Sequence, residues 1–295
     1  MKEQLVIGMG EALWDVLPSG KKIGGAPANF AYHVSQFGID SVAVSALGND
    51  ELGAELLSEY AKVGLNVSME RLSCPTGTVQ VTIDEKGIPS YDICQGVAWD
   101  NIAFNDELKA LAQKATVVCF GSLAQRNKTS RDTINAFIDL MPDDDGHLKV
   151  FDINLRQAWY SKEVIENSLH KCNILKINDE ELVTVRDLLS IEAEGQKAVC
   201  KALIDRYALR MVILTCGAEG SYVLAADGTE SWMDTPKVDV VDTVGAGDSF
   251  TGAFVAALLA GKSLREAHEL AVKVSAFVCT QAGAMPVLPD EFKVL

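Results

Sequence analysis

Long apolar runs are missing from this chain: no segment reaches the roughly 18 consecutive apolar residues of a membrane-spanning helix. Basic residues are also scarce. Against 41 Asp and Glu stand 26 Lys and Arg, a formal charge of −15, so nucleic acid and anionic membranes are repelled and a small neutral metabolite is the better partner. A phosphate-bearing ligand finds no general attraction here and needs a local cradle of backbone N–H groups. The seven cysteines are odd in number and never form a Cys-x-x-Cys pair, which argues against a disulfide framework or a zinc knuckle. The four histidines (33, 147, 170 and 268) make no His-Glu-x-x-His motif or paired cluster, which argues against a zinc hydrolase. Gly8 and Gly10 open a dinucleotide fingerprint, but its third glycine falls on Leu13, and an NAD-dependent dehydrogenase is set aside. Internal repeats, low-complexity tracts and Pro/Gly/Ser-rich linkers are absent. The segment from Met1 to Gly10 carries Lys2 and Glu3 and runs straight into a strand pattern, so a cytoplasmic location is expected.

What the chain does have is enough apolar residue, 48% of 295, to bury a large core. Short apolar runs at 4–10, 41–47, 116–120, 148–152, 173–177 and 210–215 alternate with amphipathic stretches at 27–37, 51–63, 105–114, 129–140, 161–171, 179–189 and 195–208. That alternation predicts right-handed β-α-β crossovers and a mostly parallel sheet covered on both faces. Ligands of such sheets collect at the carboxyl ends of the strands. Two stretches break the rhythm. Residues 78–83 place Val79, Val81 and Ile83 on one face and Thr78, Gln80 and Thr82 on the other, the pattern of a half-exposed strand. With 90–94 and 11–23 it is expected to form a small antiparallel flap, a lid over the sheet edge. Residues 220–233 read as a hairpin turning at Asp227-Gly228.

The segment Asp242-Thr243-Val244-Gly245-Ala246-Gly247-Asp248-Ser249-Phe250 precedes a helical run over 251–260. Small residues at 245–247 let consecutive N–H groups converge where the helix adds its positive end, which makes an anion hole. A capped helix after a glycine turn is the plainer alternative. Phosphoryl transfer needs charge stabilisation on the moving group and a base aimed at the attacking oxygen. Here Gly245, Ala246 and Gly247 supply the first and Asp248 the second, with the helix terminus expected to keep Asp248 ionised.

Together with Gly24-Gly25-Ala26-Pro27-Ala28-Asn29 near the amino end, Asp242-Thr243-Val244-Gly245-Ala246-Gly247-Asp248 resembles the paired signatures of the ribokinase-like, PfkB-type carbohydrate kinases. The resemblance runs over essentially the whole chain. It implies a three-layer αβα fold as one kinase domain, with a β lid built from about 11–25 and 75–100. A sugar lies under the lid, a nucleotide lies across the sheet edge, and Asp248 acts as base.

Sugar hydroxyls must be held by convergent hydrogen bonds from rigid positions. Gly24-Gly25 permits close backbone approach, Asn29 both donates and accepts, and Asp15 can accept from two hydroxyls. By resemblance, Asp15, Gly25 and Asn29 contact the sugar. Arg156, after the strand ending at Asp152, is placed to pair with a phosphate oxygen or the sugar. On the nucleotide side, Thr215, Gly217 and Gly220 match the family's Thr-x-Gly-x-x-Gly turn. Asn178 and Glu181 match its Asn-x-x-Glu pattern, in which Asn178 approaches the phosphates and Glu181 orders water around Mg²⁺. Relatives bind K⁺ through backbone carbonyls that fall here at Asp242, Val244, Val278, Gln281 and Gly283. Val287 stands where ribokinases often place a serine ligand, a departure from that pattern.

The decoy Gly261-Lys262-Ser263 ends like a phosphate-binding loop, but its leading glycine falls on Ala256. Ser263 and Glu266 instead read as a capping box for another helix. Gly10-Glu11-Ala12-Leu13-Trp14-Asp15, Val97-Ala98-Trp99-Asp100-Asn101 and Asn154-Leu155-Arg156 with Trp159 look like bacterial fructokinases. That likeness implies ATP as donor, with GTP an alternative, and fructose as acceptor. 2-Keto-3-deoxygluconate, ribose and nucleosides stay open, as do a homodimer through the lid and a non-catalytic sugar-binding regulator on the same fold. The regulator would require a damaged base or anion hole, and both are intact.

Overall fold

Apolar alternation along the strands becomes two buried faces in the structure, a computed structural model that describes residues 4–18, 20–83 and 89–295, without the side chains of residues 81, 83 and 89–91. The strands are numbered in chain order. The main sheet holds β1 (Leu5–Met9), β4 (Asp40–Gly48), β5 (Asn66–Leu72), β8 (Val117–Phe120), β9 (Leu148–Asp152), β10 (Ile174–Asn178), β11 (Met211–Thr215), β12 (Gly220–Ala225) and β13 (Glu230–Asp234). Its order is β13-β12-β11-β10-β9-β8-β1-β4-β5. All pairs from β11 to β5 are parallel, and only the β12–β13 hairpin introduces antiparallel pairing. That hairpin turns where expected, with Gly228 at φ 87° and Asp227 accepting from the Thr229 N–H. The edge strand β5 had no counterpart among the expected strands.

Ile7, Met9, Val118, Phe120, Leu175 and Ile177 face one helical layer, while Val6, Val117, Cys119 and Ile174 face the other. The first layer contains α3 (Asp106–Lys114), α4 (Lys128–Leu140), α5 (Lys162–Lys171), α6 (Asp179–Leu188) and α7 (Gln196–Tyr207). The second contains α1 (Ala26–Ser35), α8 (Ala246–Leu259) and α9 (Leu264–Cys279), with α2 (Glu51–Lys62) beside α1. Every residue of α8 from Ser249 to Ala257 is buried, which explains its unbroken apolar and small composition. No helix among the described residues is long and apolar enough to cross a membrane.

A second sheet of four strands lies apart, in the order β3 (Gly20–Gly24), β2 (Leu13–Leu17), β6 (Gly77–Ile83), β7 (Pro89–Ile93). The expected antiparallel flap is corrected here: β2 and β6 pair in parallel, and only β2–β3 and β6–β7 are antiparallel. The long excursion from β2 to β6 through the main sheet allows the parallel pairing, which no hairpin could make. Ser19, residues 84–88 and the side chains of Val81 and Ile83 fall within the expected lid but lie outside the described residues.

Candidate functional site

β1 sits between β8 and β4, so the chain's connections diverge on either side of it and leave a crevice at its carboxyl end. The segments after β1, β8 and β9 and the starts of α1 and α8 meet there. Gly25 caps α1 at φ 117°, and a Cβ on it would stand 2.5 Å from the Glu11 carbonyl oxygen. Only glycine lets the start of α1 approach the end of β1 so closely.

The α8 terminus is built the same way. Gly245 has φ 79°, and a Cβ there would lie 2.7 Å from the Ala284 Cβ. A Cβ on Gly247 would stand 2.8 Å from the Lys176 Nζ. Residues 245–247 thus form a positive helix end with no side-chain cap, the Ala246 N–H donating to the Thr243 carbonyl at 3.3 Å, and an ammonium group lies behind Gly247.

Asp248 lies in the first turn of α8, where its Oδ2 accepts from the Asn29 Nδ2 at 2.7 Å. The buried carboxylate Asp152, at the end of β9, accepts from Lys176 Nζ at 3.0 Å and from Thr251 Oγ1 at 3.0 Å. Burial, helped by Asp152, pushes the Asp248 carboxyl up to about 6, against the Asn29 hydrogen bond, Lys176 and Arg156. The helix terminus was expected to keep Asp248 ionised; burial raises its carboxyl, yet at about 6 it is still mostly ionised at neutral pH. For Lys176, burial works against the charge, but Asp152 and Asp248 more than offset it and the ammonium is favoured.

Other expected residues gather around this centre. Asp15, on β2, has its carboxyl raised by burial, while Arg156 and Lys22 pull it down. Lys22, on β3, reaches across 220 residues to donate to Asp242 Oδ2 at 2.9 Å. Asp242 also accepts from the N–H groups of Val244 (3.1 Å) and Gly283 (3.2 Å), tying the two loops whose carbonyls were expected to hold K⁺. Arg156 is exposed and donates only to its own neighbour's carbonyl among the described residues, while its charge acts on Glu11, Asp15 and Asp248.

Of the residues expected to meet the nucleotide, Asn178 and Thr215 are register partners at the ends of β10 and β11. Asn178 caps α6 by accepting from the Glu181 N–H, and Glu181 Oε2 accepts from the Asn178 N–H at 2.9 Å. Glu181 Oε1 takes the Leu155 N–H at 2.7 Å. Gly217, at φ 53°, has open space where a side chain would be, but Gly220 does not: a Cβ there would be 2.4 Å from the Met233 carbonyl oxygen. Gly220 therefore serves the hairpin's close approach. Sequence reasoning passed over Lys176, Asp152 and Glu11 as site residues. Asp152 ends β9 and Glu11 follows the end of β1, the one signal that pointed to them, whereas Lys176 lies in the middle of β10 and had none.

This geometry can now be set beside known proteins. The family described as pfkB family carbohydrate kinase matches residues 18–291. An ATP-dependent 6-phosphofructokinase of Thermoanaerobacterium thermosaccharolyticum is 30% identical over 98% of this chain and 92% of its own. A probable fructokinase-5 of Arabidopsis thaliana is 31% identical over 97% of this chain and 94% of its own. Among solved structures, an uncharacterized sugar kinase from Pyrococcus horikoshii in complex with ATP superposes with a TM-score of 0.80, at 27% identity, over 95% of this chain and 94% of that one.

Proposed function

From the premise that this chain belongs to the pfkB family of carbohydrate kinases, with their ribokinase-like fold, we propose that it transfers the γ-phosphoryl group of ATP to a primary hydroxyl of fructose. The observation that carries this reading is the Asp248 carboxylate, fixed by Asn29, at the α8 mouth that no side chain caps, with Lys176 behind it. Proton removal and neutralisation of the moving phosphoryl then occur side by side. Asp248 takes the hydroxyl proton. The N–H groups of Gly245, Ala246 and Gly247 and the Lys176 ammonium face the charge that develops on the phosphoryl oxygens.

In this reading the smaller sheet is the lid. Asp15, Gly25 and Asn29 hold the sugar, Arg156 pairs with a phosphoryl or sugar oxygen, and Asn178, Thr215 and Gly217 line the nucleotide's path, while Gly220 shapes the hairpin beside them. Among the described residues no three acidic, His or Cys side chains are grouped to hold a metal. Both Glu181 oxygens already accept backbone N–H groups. Such a carboxylate fits the water shell of a phosphate-bound Mg²⁺, not the ion itself, and Mg²⁺ would supply charge neutralisation on the phosphates. K⁺ would be held by carbonyls of Asp242, Val244 and Gly283, in the two loops that the Asp242 carboxylate draws together. A homodimer through the lid belongs to the proposal and is checked by sedimentation.

The exposed Arg156 guanidinium, with no carboxylate within hydrogen-bond range among the described residues, favours a second reading in which the acceptor is an anionic sugar. An ADP-release assay over fructose, fructose 6-phosphate, 2-keto-3-deoxygluconate and ribose separates the two. Fructose is expected to give the highest kcat/KM, and a tenfold preference for any other sugar would overturn the fructokinase assignment.

A further inference from the structure

Glu11 follows β1 into the crevice and is 5% exposed, and its Oε2 has no hydrogen-bond partner among the described residues. A buried carboxylate oxygen without a partner is costly unless it is protonated or meets water. Its surroundings repeat the pattern. Among the described residues, the Asn29 Oδ1 is buried without a partner, although the same amide donates to Asp248. The Tyr60 hydroxyl, on α2, is likewise buried without a partner among them and feels the Glu11 charge. So is the Ser45 hydroxyl. It shares the face of β4 with Ala43 and Leu47, which pack with Tyr60.

Between Glu11 and Asp248 lies a cavity of about 10 Å³, which Asp152 and Asn154 also line. That is the size of a single water site, with Glu11, Asp152, Asn154 and Asp248 set among mostly apolar walls such as Pro27, Phe30 and Phe120. Asp248 lines this cavity from the first turn of α8.

We propose that Glu11 is the proton-accepting partner of Asp248, reached through one water held in the cavity between them. The inference rests on the phosphoryl-transfer reading of Asp248. The acceptor's O–H bond breaks as its oxygen bonds to the γ-phosphorus. The bond from that phosphorus to the bridging oxygen breaks, and its electron pair leaves with ADP. The hydroxyl proton goes to Asp248, which passes a proton to the cavity water as that water gives one to Glu11 Oε2. Asp248 is then anionic again while the sugar phosphate is still bound, and it cannot return the proton to the product oxygen. Glu11 releases its proton to solvent later.

The charges facing Glu11 fit this role. Burial is the largest influence and pushes its carboxyl up to about 7, with Asp248 adding to the rise. Arg156 and the N–H groups of Glu11 and Ala26 pull it down. Both carboxyls are raised by burial, to about 7 for Glu11 and about 6 for Asp248, and the Asp248 charge raises Glu11 further, so the pair shares a proton near neutrality. Tyr60 stays neutral, its hydroxyl raised by burial and by Glu11.

The test is Glu11→Gln, which keeps the shape and removes the proton site. In the parent, kcat should rise with pH through about 7, the Glu11 ionisation. In the variant the midpoint should fall toward about 6, that of Asp248, and the plateau should drop about tenfold with sugar KM within twofold. A superimposable pH profile overturns the proposal. A carbon-13 NMR titration of parent protein labelled at glutamate carboxyls is independent of turnover and of the variant's folding. One glutamate titrating near 7 is expected, and in a folded variant that signal should be missing. If no glutamate titrates above 6, or if the signal persists in the variant, Glu11 does not hold the proton. If the signal is present but no sugar is phosphorylated, the kinase reading fails instead.

Discussion

Gly252 of α8 lies against His33 of α1 so tightly that a Cβ on the glycine would stand 2.9 Å from the His33 Cβ. One helical turn earlier on each helix, Asn29 donates to Asp248. The spacing of four residues on both helices makes the two contacts rungs of one ladder. Gly252→Ala is therefore expected to push α1 and α8 apart where neither can yield through a flexible side-chain end. Overpacking of this kind costs about 1–3 kcal/mol. The lengthened Asn29–Asp248 contact should lower kcat roughly tenfold or more. Thermal unfolding and steady-state kinetics on the same sample check both, and an unchanged kcat at reduced stability would separate the packing from the chemistry.

Asp248→Asn is expected to leave sugar binding measurable by calorimetry while kcat falls by roughly 10²–10⁴-fold. The same variant tests linkage. Because the folded-state carboxyl is raised, its contribution to stability is fully present below the unfolded value of 3.8 and is lost as pH rises through about 6. Asparagine carries no such loss. Melting temperatures should show the variant more stable than the parent at pH 8, with the difference shrinking as pH falls from 6 to 4. A pH-independent difference would contradict the burial of this charge.

The sheet, its helical layers and the α8 turn were legible because each is written locally: alternating apolar residues in strands, periodic apolar residues in helices, and small residues at 245–247. β5 was not. Its sequence, Asn66-Val67-Ser68-Met69-Glu70-Arg71-Leu72, is mostly polar or half-buried because it is an edge strand with one neighbour. The parallel β2–β6 pair escaped for another reason: pairing between strands so far apart is settled by the main sheet that carries them, not by their own residues. At the site, Asp248 and Asn29 were legible through their glycine-rich neighbours. Lys176 and Asp152 were not, because their role depends on β9 and β10 lying side by side, which only assembly reveals.

Lys176→Met is expected to leave Asp152 buried without its ion-pair partner, 3.0 Å away in the parent. Breaking a buried pair costs about 3–5 kcal/mol, most of it from the charge left behind. Stability should therefore recover in Lys176→Met/Asp152→Asn, whereas kcat should not, because the ammonium behind Gly247 is still missing. Denaturant unfolding of both variants, read beside kcat for ATP turnover, distinguishes the structural part of Lys176 from its part at the anion hole. Full recovery of kcat in the double variant would remove Lys176 from the proposed chemistry.

Lys22 and Asp242 connect the smaller sheet to the loop before α8, and Lys22 is 45% exposed. A pair so open to solvent contributes about 0–1 kcal/mol to stability, and less as salt rises. Lys22→Met should therefore melt within a degree or two of the parent. Its effect is expected elsewhere. With the ammonium gone, Asp15 loses one of the two cations that pull its carboxyl down, and β3 loses its tie to Asp242. If β2 and β3 close over the sugar, KM for the sugar should rise several-fold while kcat at saturation changes little, because Asp248 and the α8 mouth are untouched. Raising the ionic strength should weaken sugar binding in the parent and leave the variant nearly unaffected. Equal salt dependence in both proteins would show that this ion pair plays no part in holding the two sheets around the substrate.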